Sequence, residues 1–213
     1  MQIDVWYDFA CPWCALGLAR LEVARAAFEH GDEVSVVHRS FQLDPHAPAR
    51  RDVTMVEAVA KKYGLDASSV LAGHGRLTAL GAEVGVVFDF DRVQLGNTFD
   101  AHRLAQAARG APYEEAVLRG LFAAYFAEGR WLADHEVLCD VAARAGMPVE
   151  LATAVLAGDA HAAAVRADEA DAAAREVLGV PYFLFNGAWP VPGAQDVETM
   201  LIVLRRAWSR LGH

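Results

Sequence analysis

The chain has 213 residues, 54% of them apolar and 22% charged, an ordinary globular balance and enough length for one elaborated domain or two intimate ones. A net charge of −9 argues against nucleic-acid binding, which requires a clustered basic face. No stretch approaches the roughly 18 consecutive apolar residues of a membrane span, so neither nucleic acid nor membrane is an expected partner.

The opening residues, MQIDVWYDFA, have no basic start and no long apolar run, which makes the cytoplasm the expected compartment. Residues 2–8 alternate apolar and polar and read as a strand. Cys11-Pro12-Trp13-Cys14 follows and opens a helical pattern in which Leu18, Leu21, Ala24 and Phe28 recur. Pro12 falls in the first turn, where its missing N–H has no helical partner to lose. Gly31 ends the pattern, and residues 33–43 form a second alternating strand. Strand, helix and strand within about 45 residues make a βαβ unit with parallel strands.

Asp44-Pro45-His46-Ala47-Pro48-Ala49 is then a breaker-rich link. From Thr54 to Leu156 only helical patterns are found, opened by a capping box at Thr54-Met55-Val56-Glu57. Helices are expected over 98–108, 113–126 and 134–145, separated by Gly110, Gly129 and Gly146, with a further start at Pro148. Ala160–Leu178 reads as one helix ended by Gly179. Val180–Phe185 is a strand, Asn186-Gly187 a hairpin turn, Ala188–Val191 the returning strand and Asp196–Leu211 a closing helix. The order βαβ, helical block, αββα is that of an α/β, thioredoxin-like fold with an inserted all-helical domain. Its expected parts are residues 1–45 and 160–213 for the thioredoxin-like domain and 53–157 for the insert.

Three cysteines in this length do not make a disulfide scaffold. Cys11 and Cys14 sit three apart at a helix start, which puts both sulfurs on one turn. The free N–H groups and partial positive charge of that helix end stabilise a Cys11 thiolate. One pKa unit of such stabilisation is about 1.4 kcal/mol, or roughly 30 mV in a two-electron potential. Cys11 is therefore the expected nucleophile, with Cys14 one turn inside as the resolving thiol, and Trp13 offers an apolar face to a peptide-like substrate. A zinc half-site or an incidental reduced pair are the competing readings. Zinc would need two more ligands at recognisable spacing, and no second CxxC or HxxxH occurs, so no metal or cofactor is expected. Val180-Pro181 opens a strand, where a proline facing the cysteines is expected in the cis form and leaves the Val180 backbone for a substrate strand. The alternative is an ordinary proline that merely ends the preceding helix.

The chain resembles the DsbA superfamily of thioredoxin-like oxidoreductases, and within it the FrnE-like branch. The matching runs are YDFACPWC at 7–14, SFQLDP at 40–45, NTFDAHRL at 97–104, GVPYFLF at 179–185 and GAQ at 193–195. The resemblance implies a dithiol/disulfide site at Cys11 and Cys14 with the cis-proline role on Pro181. It further implies oxidation or isomerisation of protein disulfides, or a tailoring role in polyketide metabolism. The implied partners are protein or peptide thiols and disulfides, with glutathione as a further candidate. Pro192 departs from the pattern, which has a small hydroxyl residue before Gly-Ala-Gln. A glutathione-dependent isomerase or transferase on the same scaffold is the nearest rival, but such relatives carry serine where this chain has Cys11. A binding protein that merely uses the thioredoxin core is the third class.

Other residues have weaker claims. Asn97 and His102 are candidates to line a cleft between insert and core, with the insert as a lid. Asp8 is a candidate proton relay for Cys14. Cys139 lies beside Val137, Leu138 and Val141, and reads as a buried, inert thiol.

Overall fold

The structure is a computed structural model and describes residues 1–211. Its sheet is built from β1 (Gln2–Tyr7), β2 (Ser35–Ser40), β3 (Tyr182–Phe185) and β4 (Trp189–Pro192), in the spatial order β2-β1-β3-β4. β2 runs parallel to β1, with Ile3 opposite Val36 and Tyr7 opposite Ser40. β3 runs antiparallel to β1, and β4 to β3. Residues 3–7 of β1 are all buried, because both faces of this central strand are covered. Ile3 and Val5, with Phe183 and Phe185 of β3, pack on α1 (Pro12–Ala27) and α9 (Val197–Ser209). Trp6 and Leu184 point the opposite way, against Ala172 of α8 (Ala162–Ala174) and against Val177.

The chain between β2 and α8 carries α2 (Met55–Tyr63), α3 (Ala67–Ala82), α4 (Phe99–Ala108), α5 (Glu114–Phe126), α6 (His135–Arg144) and α7 (Val149–Ala157). The Thr54–Glu57 capping box forms in both directions. Pro148 is the N-cap of α7. The core of these helices, including Leu104, Leu121, Phe126 and Leu138, is continuous with Tyr7, Phe9, Cys14 and Leu16. The helices are thus seated on the strand end and helix start that hold the two cysteines.

Four local expectations need correction. β2 spans 35–40 rather than 33–43, because Gly31–Glu33 form a single 3-10 turn and the chain leaves the sheet after Phe41. The block from 54 to 156 is not helical throughout. Residues 84–98 form no regular element, turning at Gly85 (φ 76°) and burying Phe88 and Phe90, two apart, as an extended chain does. α8 stops at Ala174 instead of reaching Leu178. Glu176 takes a left-handed conformation (φ 55°), and the Val177 N–H closes back on the Ala172 carbonyl. The returning strand is displaced by one residue, to 189–192, because three residues, Asn186, Gly187 and Ala188, make the turn, the first two with positive φ.

No helix among the described residues is long and apolar enough to cross a membrane.

Candidate active site

The site is assembled where β1 ends and α1 begins. Cys11 is the N-cap residue of α1, with extended backbone (φ −99°, ψ 111°), and Pro12 takes the first helical position. The Cys14 and Ala15 N–H groups already bond to the Cys11 carbonyl, at 3.0 and 3.3 Å. Cys11 therefore carries its sulfur at the helix mouth, at the positive end of the α1 dipole. Both thiols are free. Cys11 retains 5% exposure, whereas Cys14 has none. Burial pushes the Cys14 thiol well above its ordinary pKa, and hydrogen bonding to and charge on Cys11 push it further. The two sulfurs are thus unequal: Cys11 is buried but keeps a small opening to solvent, and Cys14 is a fully buried neutral thiol behind it. Trp13 lies between them in sequence and is 42% exposed.

The facing element is the segment before β3. The Val180–Pro181 peptide is cis, and the Cys11 thiol donates to the Val180 carbonyl at 3.5 Å. That carbonyl is therefore engaged in the dithiol state. Pro181 is buried, and its carbonyl accepts the Gly193 N–H at 2.8 Å, so the loop carrying Gly193, Ala194 and Gln195 is pinned to it. Gln195 donates to the Pro192 carbonyl at 2.8 Å; proline at 192 serves this loop through its main chain, where no hydroxyl is needed. Gly17, which carries no local signal in the sequence, allows this approach. A Cβ there would stand 2.9 Å from the Pro181 ring and 3.3 Å from the Ala194 methyl. Arg20, one turn on, donates to the Ala194 carbonyl at 3.0 Å.

Asp8 closes the site from behind. Its carboxylate accepts from the N–H of Ala10 (3.2 Å), the N–H of Leu43 (2.7 Å) and the hydroxyl of Thr98 (2.9 Å). Burial pushes this carboxyl up, but the nearby His102 and the N–H groups of Leu43 and Ala10 outweigh it and hold the group below its ordinary range. His102 Nε2 is 3.4 Å from Asp8 Oδ1. It is not aligned to donate, so neither ring nitrogen has a hydrogen-bond partner among the described residues.

His102 is completely buried, its ring 4.9 Å from Phe9 and 5.3 Å from Tyr7. It does not line an open cleft. Asn97 is half-buried: it donates to the Ala47 carbonyl at 2.9 Å and accepts from the Phe99 N–H at 2.8 Å, tying the 44–49 link to the start of α4. Residues 97–104 do reach the cysteine-bearing segment, through Thr98 and His102 on Asp8 and Phe9. Thr98 was not singled out from sequence; its place before His102 in the 97–104 run was the available signal. Cys139 is half-buried rather than buried. The inner face of α6 is Leu138, Val141 and Ala142, and Cys139, one residue round from Leu138, faces Thr153 at 3.9 Å. No group of three or more His, Cys, Asp or Glu side chains among the described residues is placed to hold a metal ion.

A family model described as the DSBA-like thioredoxin domain matches residues 2–205. The chain belongs to the DsbA-like thioredoxin-domain family. This is a family of thiol–disulfide oxidoreductases, and the architecture described above is its α/β fold with a helical insertion. Among solved structures, the chain is similar to a probable DsbA oxidoreductase from Streptomyces coelicolor. The two are 40% identical with a TM-score of 0.92, over 98% of this chain and 90% of that one. It also shares its fold with the cytosolic disulfide reductase DsbM from Pseudomonas aeruginosa, at 17% identity and a TM-score of 0.69 over 100% of both chains. DsbM has also been solved with glutathione. A third likeness of fold is to a 2-hydroxychromene-2-carboxylate isomerase, at 16% identity and a TM-score of 0.67, over 99% of this chain and 96% of that one. No curated protein matches the chain.

Proposed function

We propose that this DsbA-like chain is a thiol–disulfide oxidoreductase of the oxidase or isomerase type, working through Cys11 and Cys14 on protein or peptide thiols. The observation that carries this reading is the inequality of the two sulfurs. Cys11 sits at a helix N-terminus with a residual opening to solvent, opposite the Val180 carbonyl at 3.5 Å, and Cys14 is a sealed neutral thiol one turn behind it. In the oxidised form, a substrate thiolate attacks Cys11 Sγ and breaks the Cys11–Cys14 bond. Cys14 leaves as a thiolate and takes up a proton, as its raised pKa favours. A second substrate thiolate then attacks the substrate sulfur of the mixed disulfide and releases Cys11, whose thiolate the helix end stabilises. Two electrons pass from the substrate dithiol to the protein, and the substrate gains one disulfide. Run from the dithiol form, attack by Cys11 on a substrate disulfide gives isomerisation. Trp13, Val180 and Pro181 form the substrate-binding edge, and an extended chain would pair with the Val180 backbone once its carbonyl is released from Cys11.

The same proposal takes residues 1–45 and 160–213 as the thioredoxin-like unit, with 53–157 as the insert. The FrnE-like branch is supported by the runs at 97–104 and 193–195. Glutathione is a secondary partner and the cytoplasm the compartment, both supported by the fold shared with the cytosolic DsbM and its glutathione complex. The isomerase likeness favours a glutathione-dependent isomerase or transferase as the second reading. Cys11, a thiol rather than a hydroxyl, weighs against it.

The test is reduction of insulin disulfides by the wild type, Cys11→Ser and Cys14→Ser. Cys11→Ser is expected to abolish turnover, and Cys14→Ser to accumulate a mixed disulfide with substrate, visible as a mass increase that dithiothreitol reverses. Full turnover by Cys14→Ser with nothing trapped would reverse the roles or remove them.

A further inference from the structure

The early end of α8 places one side chain where the sequence pattern would not. Val177 is buried against the Trp6 and Leu184 side of the sheet, and Pro181 is buried against Gly17. Between these two anchors stands Leu178, 97% exposed, the most exposed large apolar side chain among the described residues. A lone surface leucine needs no explanation. This one, however, is two residues from Val180, whose carbonyl lies 3.5 Å from Cys11 Sγ. Two residues of chain span at most about 7 Å. Trp13, also exposed, is two residues from Cys11 along α1. Each of the two groups that face each other there, Cys11 and Val180, therefore has an exposed apolar side chain two residues away along its own element. With Val177 and Pro181 both buried, the main chain around Leu178 is held, so covering it costs chiefly the rotamer freedom of one side chain.

An extended polypeptide aligned on Val180 would carry the residues next to its cysteine past Leu178 and Trp13. Glutathione would not, because its cysteine is flanked by glycine and a γ-linked glutamate and has no apolar side chain to offer. We propose that Leu178, with Trp13, is a specificity determinant that selects extended polypeptide substrates bearing an apolar side chain within two residues of the reacting cysteine. This inference rests on the redox reading above.

It is tested with two synthetic peptides, each containing two cysteines and differing only in whether leucine or serine flanks them. Oxidised wild type, Leu178→Ser and Leu178→Met convert each peptide dithiol to its disulfide while the Cys11–Cys14 disulfide is reduced. The readout is the ratio of second-order rate constants, leucine peptide over serine peptide. An apolar contact discriminates on the order of 10- to 200-fold in an enclosed pocket; at this open edge, a ratio of about tenfold is expected for the wild type. The ratio is expected to fall several-fold in Leu178→Ser, as the Leu178 contact is lost and only Trp13 remains, and to be largely kept in Leu178→Met. A ratio unchanged by Leu178→Ser, or a wild-type ratio near one while dithiothreitol is still oxidised, would overturn the role of Leu178 and leave the redox reading standing. If the oxidised protein takes electrons from neither the peptides nor dithiothreitol, the redox reading itself falls, and the inference with it.

Discussion

Asp8 shows how single residues join distant parts of this chain. Its carboxylate collects an N–H from the link after β2, a hydroxyl from Thr98 and the proximity of His102, all behind Cys11. Asp8→Asn keeps the shape but replaces one acceptor oxygen with a donor amide, leaving at least one of the Leu43, Ala10 or Thr98 donors unsatisfied in a buried setting. Such a loss costs about 1–3 kcal/mol. The carboxyl is held below its ordinary range, so its contribution is complete above the unfolded-state pKa, about 4, and is lost as pH falls through the lower folded-state value. Urea unfolding is therefore expected to show the variant less stable than wild type at pH 7, with the gap shrinking as pH drops below about 4. A gap that widened in acid would contradict this role. Cys11 and Cys14 were legible because their relation is local, three residues apart at a helix start. The setting of Asp8 was not, because its partners come from residues 35 and 90 positions away. Cys139 is less buried than its apolar neighbours suggest, because it lies one helical step from Leu138 on the inner face of α6.

At the scale of elements, strands and caps with local signatures could be read directly, and boundaries decided by tertiary contact could not. The Thr54 capping box and the parallel β1–β2 pair follow from spacing and composition alone. The end of α8 does not, because Ala-rich propensity favours continuing, while burial of Val177 beside Trp6 requires the chain to turn after Ala174. Residues 84–98 were hidden for a related reason: the segment has no sheet partner, and Phe88 and Phe90 are buried by contact with Phe126 of α5. α1 was read correctly as a helix, but its reason for glycine at 17 lies in the Pro181 and Ala194 side chains that press on it. Gly17→Val would force heavy atoms into that contact, an overpacking that typically costs 1–3 kcal/mol. Chemical denaturation is expected to show a loss of about 2 kcal/mol. An unchanged midpoint would mean that α1 and the Pro181 loop do not pack as closely as described.

At the scale of the whole molecule, the insert is an extension of the core rather than an appended unit. Leu104, Leu121 and Phe126 share a cluster with Tyr7, Phe9 and Cys14. A polar seam on the β2 side joins them as well. Asp168 of α8 accepts from the Ser40 N–H, from Gln106 at 2.6 Å and from Arg109 at 2.9 Å, and pairs with Arg39, which also binds Asp4 at 2.7 Å. The architecture was legible in outline from element order, and residues 97–104 support the cysteine-bearing segment from inside. Whether Cys11 and Cys14 form a reversible disulfide couple is measured by their equilibrium in glutathione buffers of graded ratio. Thiols are quenched by acid, alkylated and counted by mass. The expected result is a single two-electron transition in which Cys11 and Cys14 lose and regain alkylation together while Cys139 stays alkylated throughout. Persistence of three alkylatable thiols at every ratio, or a disulfide that draws in Cys139, would contradict it.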